Sequence, residues 1–225
     1  MSPTNRVLAV MGQGKESDMS ADKELLEACR SLIMREAEDV AHTAASLDED
    51  FVAVAEAILS TEGKVVCTGS GTSGTIARRM AHLFNVTGTP ALYQNPADGL
   101  HGSLGVVTGR DLVIAISKGG ESDELSEFVD RSKHRGAKIV VLTCYPESTL
   151  ERMADLVCVT PFMSGDPEGV LAMGSTLSNC AWGDAMAMYV RGRRGFGWEE
   201  VLYLHPSGKV GKDTEETLAR LSQQE

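Results

Sequence analysis

Two short segments of this chain carry residue types that hold anions. Gly69-Ser70-Gly71-Thr72-Ser73-Gly74 follows the β-rich run Lys64–Thr68, and Ser117-Lys118-Gly119-Gly120-Glu121-Ser122 closes the run Leu112–Ser117; each then leads into a helix-like stretch. Glycines let a backbone come close to a ligand, and exposed N–H groups at a helix start attract negative charge, so each segment could seat a phosphate. The first is spelled G-x-G-x-x-G in the strand–turn–helix setting of the dinucleotide fingerprint. A nicotinamide site also wants an acid at the end of the second strand for the ribose hydroxyl. The chain offers Gln94 and Asn95 there, and Asp98 comes only beyond Pro96. An NAD-dependent oxidoreductase is therefore the remote alternative. Each segment could also be a plain strand–helix turn with serine as its N-cap.

The elements around these segments favour the anion reading. Short β-rich runs at Lys64–Thr68, Ala91–Gln94, Leu112–Ser117, Lys138–Thr143 and Leu156–Thr160 alternate with helical stretches at Ile76–Phe84, Glu124–Lys133 and Ser148–Met153. Such alternation predicts βαβ units and a parallel sheet covered on both faces. In the order 2-1-3-4-5, strands one and three are neighbours at the switch point, where ligands bind beyond the carboxyl ends. Both Gly/Ser segments then open helices at the same place. Ahead of the sheet, Leu25, Cys29, Leu32, Ile33, Ala37, Val40 and Ala44 recur at helical spacing, and Phe51–Leu59 continues the pattern. A long helix over about Ser175–Arg191 and a short one ending near His205 follow the last strand. Ser148 and Glu151 have the spacing of a capping box. Residues 1–19 read as a flexible arm, 20–213 as the folded domain and 214–225 as a tail or helix.

Composition narrows the function. With 21 Lys and Arg against 32 Asp and Glu, the 225-residue chain has a formal charge of −11, which argues against nucleic-acid and anionic-membrane partners. No stretch reaches the roughly 18 apolar residues that a membrane span needs. Five cysteines without C-x-x-C spacing suit a reducing compartment, so no zinc site is expected and the protein reads as cytoplasmic.

The two loops, together with Thr87-Gly88-Thr89-Pro90, the stretch from Pro96 through His101 to Gly105, Gly183-Asp184-Ala185-Met186-Ala187 and His205-Pro206-Ser207-Gly208-Lys209-Val210-Gly211, resemble in order the sugar isomerase (SIS) domain. The subgroup most similar is the arabinose 5-phosphate isomerase type, and the chain is expected to lack its CBS modules. The resemblance implies a three-layer α/β/α sandwich with a five-stranded parallel, flavodoxin-like sheet and N-terminal helices. It further implies a sugar-phosphate ligand and a homodimer or homotetramer. The family's phosphate-binding hydroxyls fall on Ser73, Ser117 and Ser122, and Gly71, Thr72, Lys118, Gly119 and Asn95 complete the expected binding set. Thr72, Asn95 and the region of Ser164 stand where the subgroup has lysine, histidine and glutamate, so arabinose 5-phosphate is expected to be a poor substrate. Gly119 replaces a further serine, with Lys118 beside it adding a cation.

An aldose–ketose isomerase moves a proton between C1 and C2 through an enediol. It needs a base, a group to polarise the carbonyl or open the ring, and a phosphate anchor; the proton transfer calls for no cofactor. Glu121 is the expected base, with His101 and His205 as proton-transferring partners. The resemblance places His205 near an active site, often that of a neighbouring subunit. A non-catalytic sugar-phosphate sensor is the second reading, because the same fold is used for sensing.

Overall fold

A computed structural model describes residues 4–207, 212 and 214–221. The five strands, β1 (Val65–Thr68), β2 (Ala91–Gln94), β3 (Leu112–Ser117), β4 (Lys138–Thr143) and β5 (Leu156–Val159), form one all-parallel sheet in the order β2-β1-β3-β4-β5. Strand boundaries and order agree with the sequence reading to within a residue. The reason is visible in the burial: β1, β3 and β4 are covered on both faces, so they read as unbroken apolar runs.

Alternate residues of those strands feed two cores. Val65, Cys67, Leu112, Ile114, Ile116, Val140 and Leu142 point to one face, where α2 (Glu49–Leu59), α3 (Gly71–Val86) and α7 (Gly174–Arg194) pack. Val66, Val113, Ala115, Ile139 and Val141 point to the other, against α5 (Asp123–His134) and α6 (Thr149–Met153). A short α4 (Pro96–Leu100) follows β2 and packs on α5, where a Cβ on Gly99 would meet the Phe128 ring at 2.4 Å. The Gly183-Asp184 pair serves the α3–α7 contact. A Cβ on Gly183 would lie 2.9 Å from Met80 Cε, and Asp184 pairs with Arg79.

The chain begins with one helix, α1 (Thr4–Ala45), and residues 4–19, expected as an unpatterned arm, are helical in its backbone. Once a helix is nucleated, each further residue adds a hydrogen bond, so propagation can outrun the periodic signal. Its orientation also differs from a simple amphipathic reading. The polar residues Asp39 and Thr43 are buried, whereas Leu25, Leu26, Ile33 and Met34 are each more than half exposed. The Ser148–Glu151 box is half formed: Ser148 Oγ accepts from Glu151 N–H, but the Glu151 carboxylate accepts from Glu147 N–H instead of Ser148. After α7 come α8 (Trp198–Tyr203) and α9 (Thr214–Leu221). Residues 208–211, which complete the motif begun at His205, lie outside the described residues.

Candidate active site

The two Gly/Ser loops meet at the carboxyl ends of β1 and β3. A Cβ on Gly69 would lie 2.9 Å from the Ile116 carbonyl oxygen, so only glycine lets the first loop rest against the end of β3. The Ser70 hydroxyl lies close enough to the carboxylate of Glu124, in the first turn of α5, to act on it, so the first loop approaches the start of α5. The Glu124 carboxyl is held below its ordinary range by its own backbone N–H first and by Ser70 second.

Capping distinguishes these two helices from α2, α4 and α6. Asp48, Asn95 and Ser148 each cap the helix they precede through a side-chain oxygen. Ser70 and Ser122 occupy the same position before α3 and α5 and make no such bond. The first-turn N–H groups of α3 therefore keep their capacity for an outside acceptor, whereas in α5 the Glu124 N–H is already met by its own carboxylate; both helices start at the carboxyl ends of neighbouring strands, with the positive ends of their dipoles there. The Ser122 Oγ is buried without a well-formed hydrogen bond. Gly71, with φ +56, and Gly119 would each carry a Cβ into open space, so no described residue fills the room beside the loops there. Ser117 Oγ accepts from Gly120 N–H at 3.1 Å, which leaves the hydroxyl proton free to donate. Gly120 needs its φ of +68, and a Cβ there would strike Ser148 Oγ at 2.2 Å.

The remaining expected residues fall around this centre unevenly. Thr72 is exposed and Ser73 half-buried in the first turn of α3. Asn95 is primarily a cap, accepting from Asp98 N–H at 3.2 Å, but its amide reaches the Tyr93 hydroxyl at 3.5 Å, which in turn donates to the Gly69 carbonyl at 3.3 Å. His101 closes α4 and is exposed. Glu121 lies in a groove shared with Asp123, Glu127 and Asp130, where its carboxylate accepts from Thr149 Oγ1 at 2.6 Å and Thr149 N–H at 2.8 Å. Those two donors, the hydroxyl foremost, lower its pKa, and Arg152 adds to the effect. Lys118 is not a free cation: its ammonium sits 2.7 Å from Asp166 Oδ2 and donates to Gly169 O at 2.7 Å.

A family model described as the SIS domain matches residues 58–189, which run from the end of α2 into α7 and include both loops. The chain belongs to the SIS domain family. Among proteins of known name it is similar to arabinose 5-phosphate isomerase KdsD of Yersinia pestis, 34% identical over 196 residues, covering 87% of this chain and 60% of that protein. Arabinose 5-phosphate isomerase GutQ of Salmonella typhi is 35% identical over 188 residues, covering 83% and 59%. The chain thus spans about three-fifths of the length of these relatives. A solved Escherichia coli structure in complex with arabinose 5-phosphate superposes with a TM-score of 0.78 at 30% identity, covering 82% of this chain and 98% of that one.

In this SIS domain His205 does not join the other candidates. It follows α8, beside a groove of Gly88, Thr89, Pro90, Phe196, Tyr203 and Leu204 that borders the amino end of β2, opposite the Gly/Ser loops. Its Nδ1 lies 2.6 Å from the Val201 carbonyl oxygen, which assigns the proton to Nδ1 and leaves Nε2 as an acceptor. Glu124 and the Asp166 contact were not legible as site features. Glu124 spells only a helix-start acid, and Asp166 meets Lys118 across 48 positions of chain. For Ser117→Ala, loss of both the Gly120 bond and the free hydroxyl is expected to weaken sugar-phosphate binding by roughly 1–3 kcal/mol with the fold intact. Calorimetry showing unchanged affinity places the phosphate elsewhere.

Proposed function

We propose that this SIS domain is a phosphosugar isomerase that interconverts an aldose phosphate and its ketose phosphate through an enediol. The observation that carries the reading is the pair of helix N-termini left without a side-chain cap by Ser70 and Ser122, both at the switch point of the sheet. Ser73, Ser117 and Ser122, the N–H groups around Gly71, Thr72 and Gly119, and Lys118 hold the phosphate, while Asn95 borders the sugar. Glu121 removes the proton from the carbon beside the carbonyl and returns it to the neighbouring carbon. His101 polarises the carbonyl or protonates the ring oxygen. His205 takes its part from a second copy of the chain, so the assembly is a homodimer or homotetramer.

The names of the relatives support this class of reaction, and the arabinose 5-phosphate complex of a similar structure supports the ligand class. Because Thr72, Asn95 and Ser164 stand where the resembling subgroup has lysine, histidine and glutamate, a short phosphosugar other than arabinose 5-phosphate is the preferred substrate. The scheme draws on no redox cofactor or metal, since only protons change place.

The test is NMR in deuterated water across tetrose, pentose and hexose phosphates. Turnover is expected without added cofactor, with solvent deuterium entering the sugar at the carbon that exchanges its proton. Binding of several sugar phosphates with neither isomerisation nor exchange overturns the enzyme and leaves a sensor.

A further inference from the structure

Lys118 is the single basic residue in either Gly/Ser loop, and its surroundings come from the connection between β5 and α7. The ammonium is 2.7 Å from Asp166 Oδ2, donates to Gly169 O at 2.7 Å and lies 4.8 Å from the Phe162 ring centre. The Asp166 side chain has no exposed surface. It also accepts from Met173 N–H at 2.7 Å, Ser175 N–H at 3.0 Å and Ser175 Oγ at 2.6 Å. Those three donors satisfy the buried carboxylate without Lys118. What the pair adds is a fixed position for an ammonium that otherwise swings on a flexible four-carbon stem.

The frame behind the pair is held at its other end by α1. Buried Asp39 accepts from the N–H groups of Met163 at 2.7 Å, Ser164 at 3.3 Å and Gly165 at 2.9 Å, and Arg35 Nε donates to Ser164 O at 3.0 Å. Between these fastenings the backbone turns left-handed at Glu168, with φ +51, and at Gly169, with φ +67. A non-glycine residue rarely takes that conformation unless its surroundings impose it, and here the turn accompanies the Gly169 carbonyl bond to Lys118. Two ammonium hydrogens are engaged, and one is left.

We propose that Asp166 is a positioning residue of the anion site, holding the Lys118 ammonium at the lip of the second loop with one N–H directed to the ligand's phosphate. This rests on the sugar-phosphate reading above. The phosphate end does not react, so the contact is made alike in ground and transition states.

Calorimetry with inorganic phosphate and arabinose 5-phosphate, and steady-state kinetics on whichever phosphosugar turns over, test it. Lys118→Met and Asp166→Asn are each expected to weaken phosphate binding about ten-fold, the loss of one charge-assisted bond. The double variant is expected to lose no more than Lys118→Met alone. KM rises with kcat nearly unchanged, as for uniform binding. If Asp166 merely cancels the charge of Lys118, Asp166→Asn binds phosphate more tightly; if it only braces the connection, melting temperature falls while affinity stays. Either result overturns the proposal, as does a Lys118→Met variant with wild-type affinity. Should Asp166→Asn fail to fold, Lys118→Arg decides: it keeps the charge without the geometry, so wild-type affinity there also overturns the proposal. Isomerisation with KM unchanged in the variants defeats this inference and spares the isomerase; phosphate binding lost in the variants of a protein that isomerises nothing does the reverse. A wild-type protein that binds neither ligand defeats both.

Discussion

Glu121→Gln is expected to lower kcat by about 10²–10⁴-fold, the usual weight of a positioned general base. The amide keeps an oxygen that can accept from Thr149 N–H, and the residue is exposed, so far-UV dichroism and melting temperature should stay near wild type. The carboxyl lies below its ordinary value because Thr149 donates to it from both hydroxyl and backbone. A lowered pKa means the ionised form, which is the form that accepts a proton, persists as pH falls past the usual glutamate value of about 4.3. The acid limb of the rate should therefore lie below that value. Thr149→Val removes the hydroxyl, the larger of the two donors, and should move the limb upward while leaving the neutral-pH rate largely unchanged. The same linkage acts on stability: the Thr149 contact stabilises the fold above the ordinary glutamate pKa and is lost as pH drops through the lowered one. A Glu121→Gln variant with full activity reduces Glu121 to an acceptor at the start of α6, and the base is then another residue.

What could be read from the sequence, and what could not, divides along the range of the interactions. Strands β1, β3 and β4 announced themselves because both faces are buried, and the Gly/Ser loops because two such strand–helix junctions fall side by side at the switch point. The G-x-G-x-x-G spelling was ambiguous by itself, since its glycines answer here to local packing: Gly69 to the Ile116 carbonyl, and Gly74, whose Cβ would meet the Tyr93 hydroxyl at 2.8 Å. Missing from the sequence signal were contacts that cross the chain. Lys118 reads as a free cation until Asp166 and Gly169 are seen around it, and Asp39 reads as one more charge on a helix until three N–H groups converge on it. The apolar stripe of α1 was legible as a stripe, but its packing against α7 and the fastening of Asp39 to Met163, Ser164 and Gly165 were not. His205 showed a motif in the chain; its distance from the Gly/Ser loops is a matter of where α7 ends.

That distance leads to the assembly. Within one protomer His205 lies near the amino end of β2 while Glu121 lies beyond the carboxyl end of β3, so a reaction that uses both draws them from different copies. Leu25, Leu26, Ile33 and Met34 face outward from a helix of 42 residues, and exposed apolar side chains on a long helix call for a partner surface. Glu121→Gln and His205→Ala should each be nearly inactive when pure, the second because the proposed proton transfer uses Nε2, the ring nitrogen that the Val201 carbonyl does not engage. Mixed, unfolded and refolded together, they should regain activity. Random pairing makes half of the dimers mixed, and each mixed dimer has one of its two sites intact, so recovery approaches about a quarter of wild type. Either variant refolded alone should recover nothing. A mixture that stays inactive while native mass spectrometry shows mixed dimers would place both residues in one protomer's site, a pure variant that keeps wild-type activity would remove its residue from catalysis, and a fully active monomer would end the shared-site reading outright.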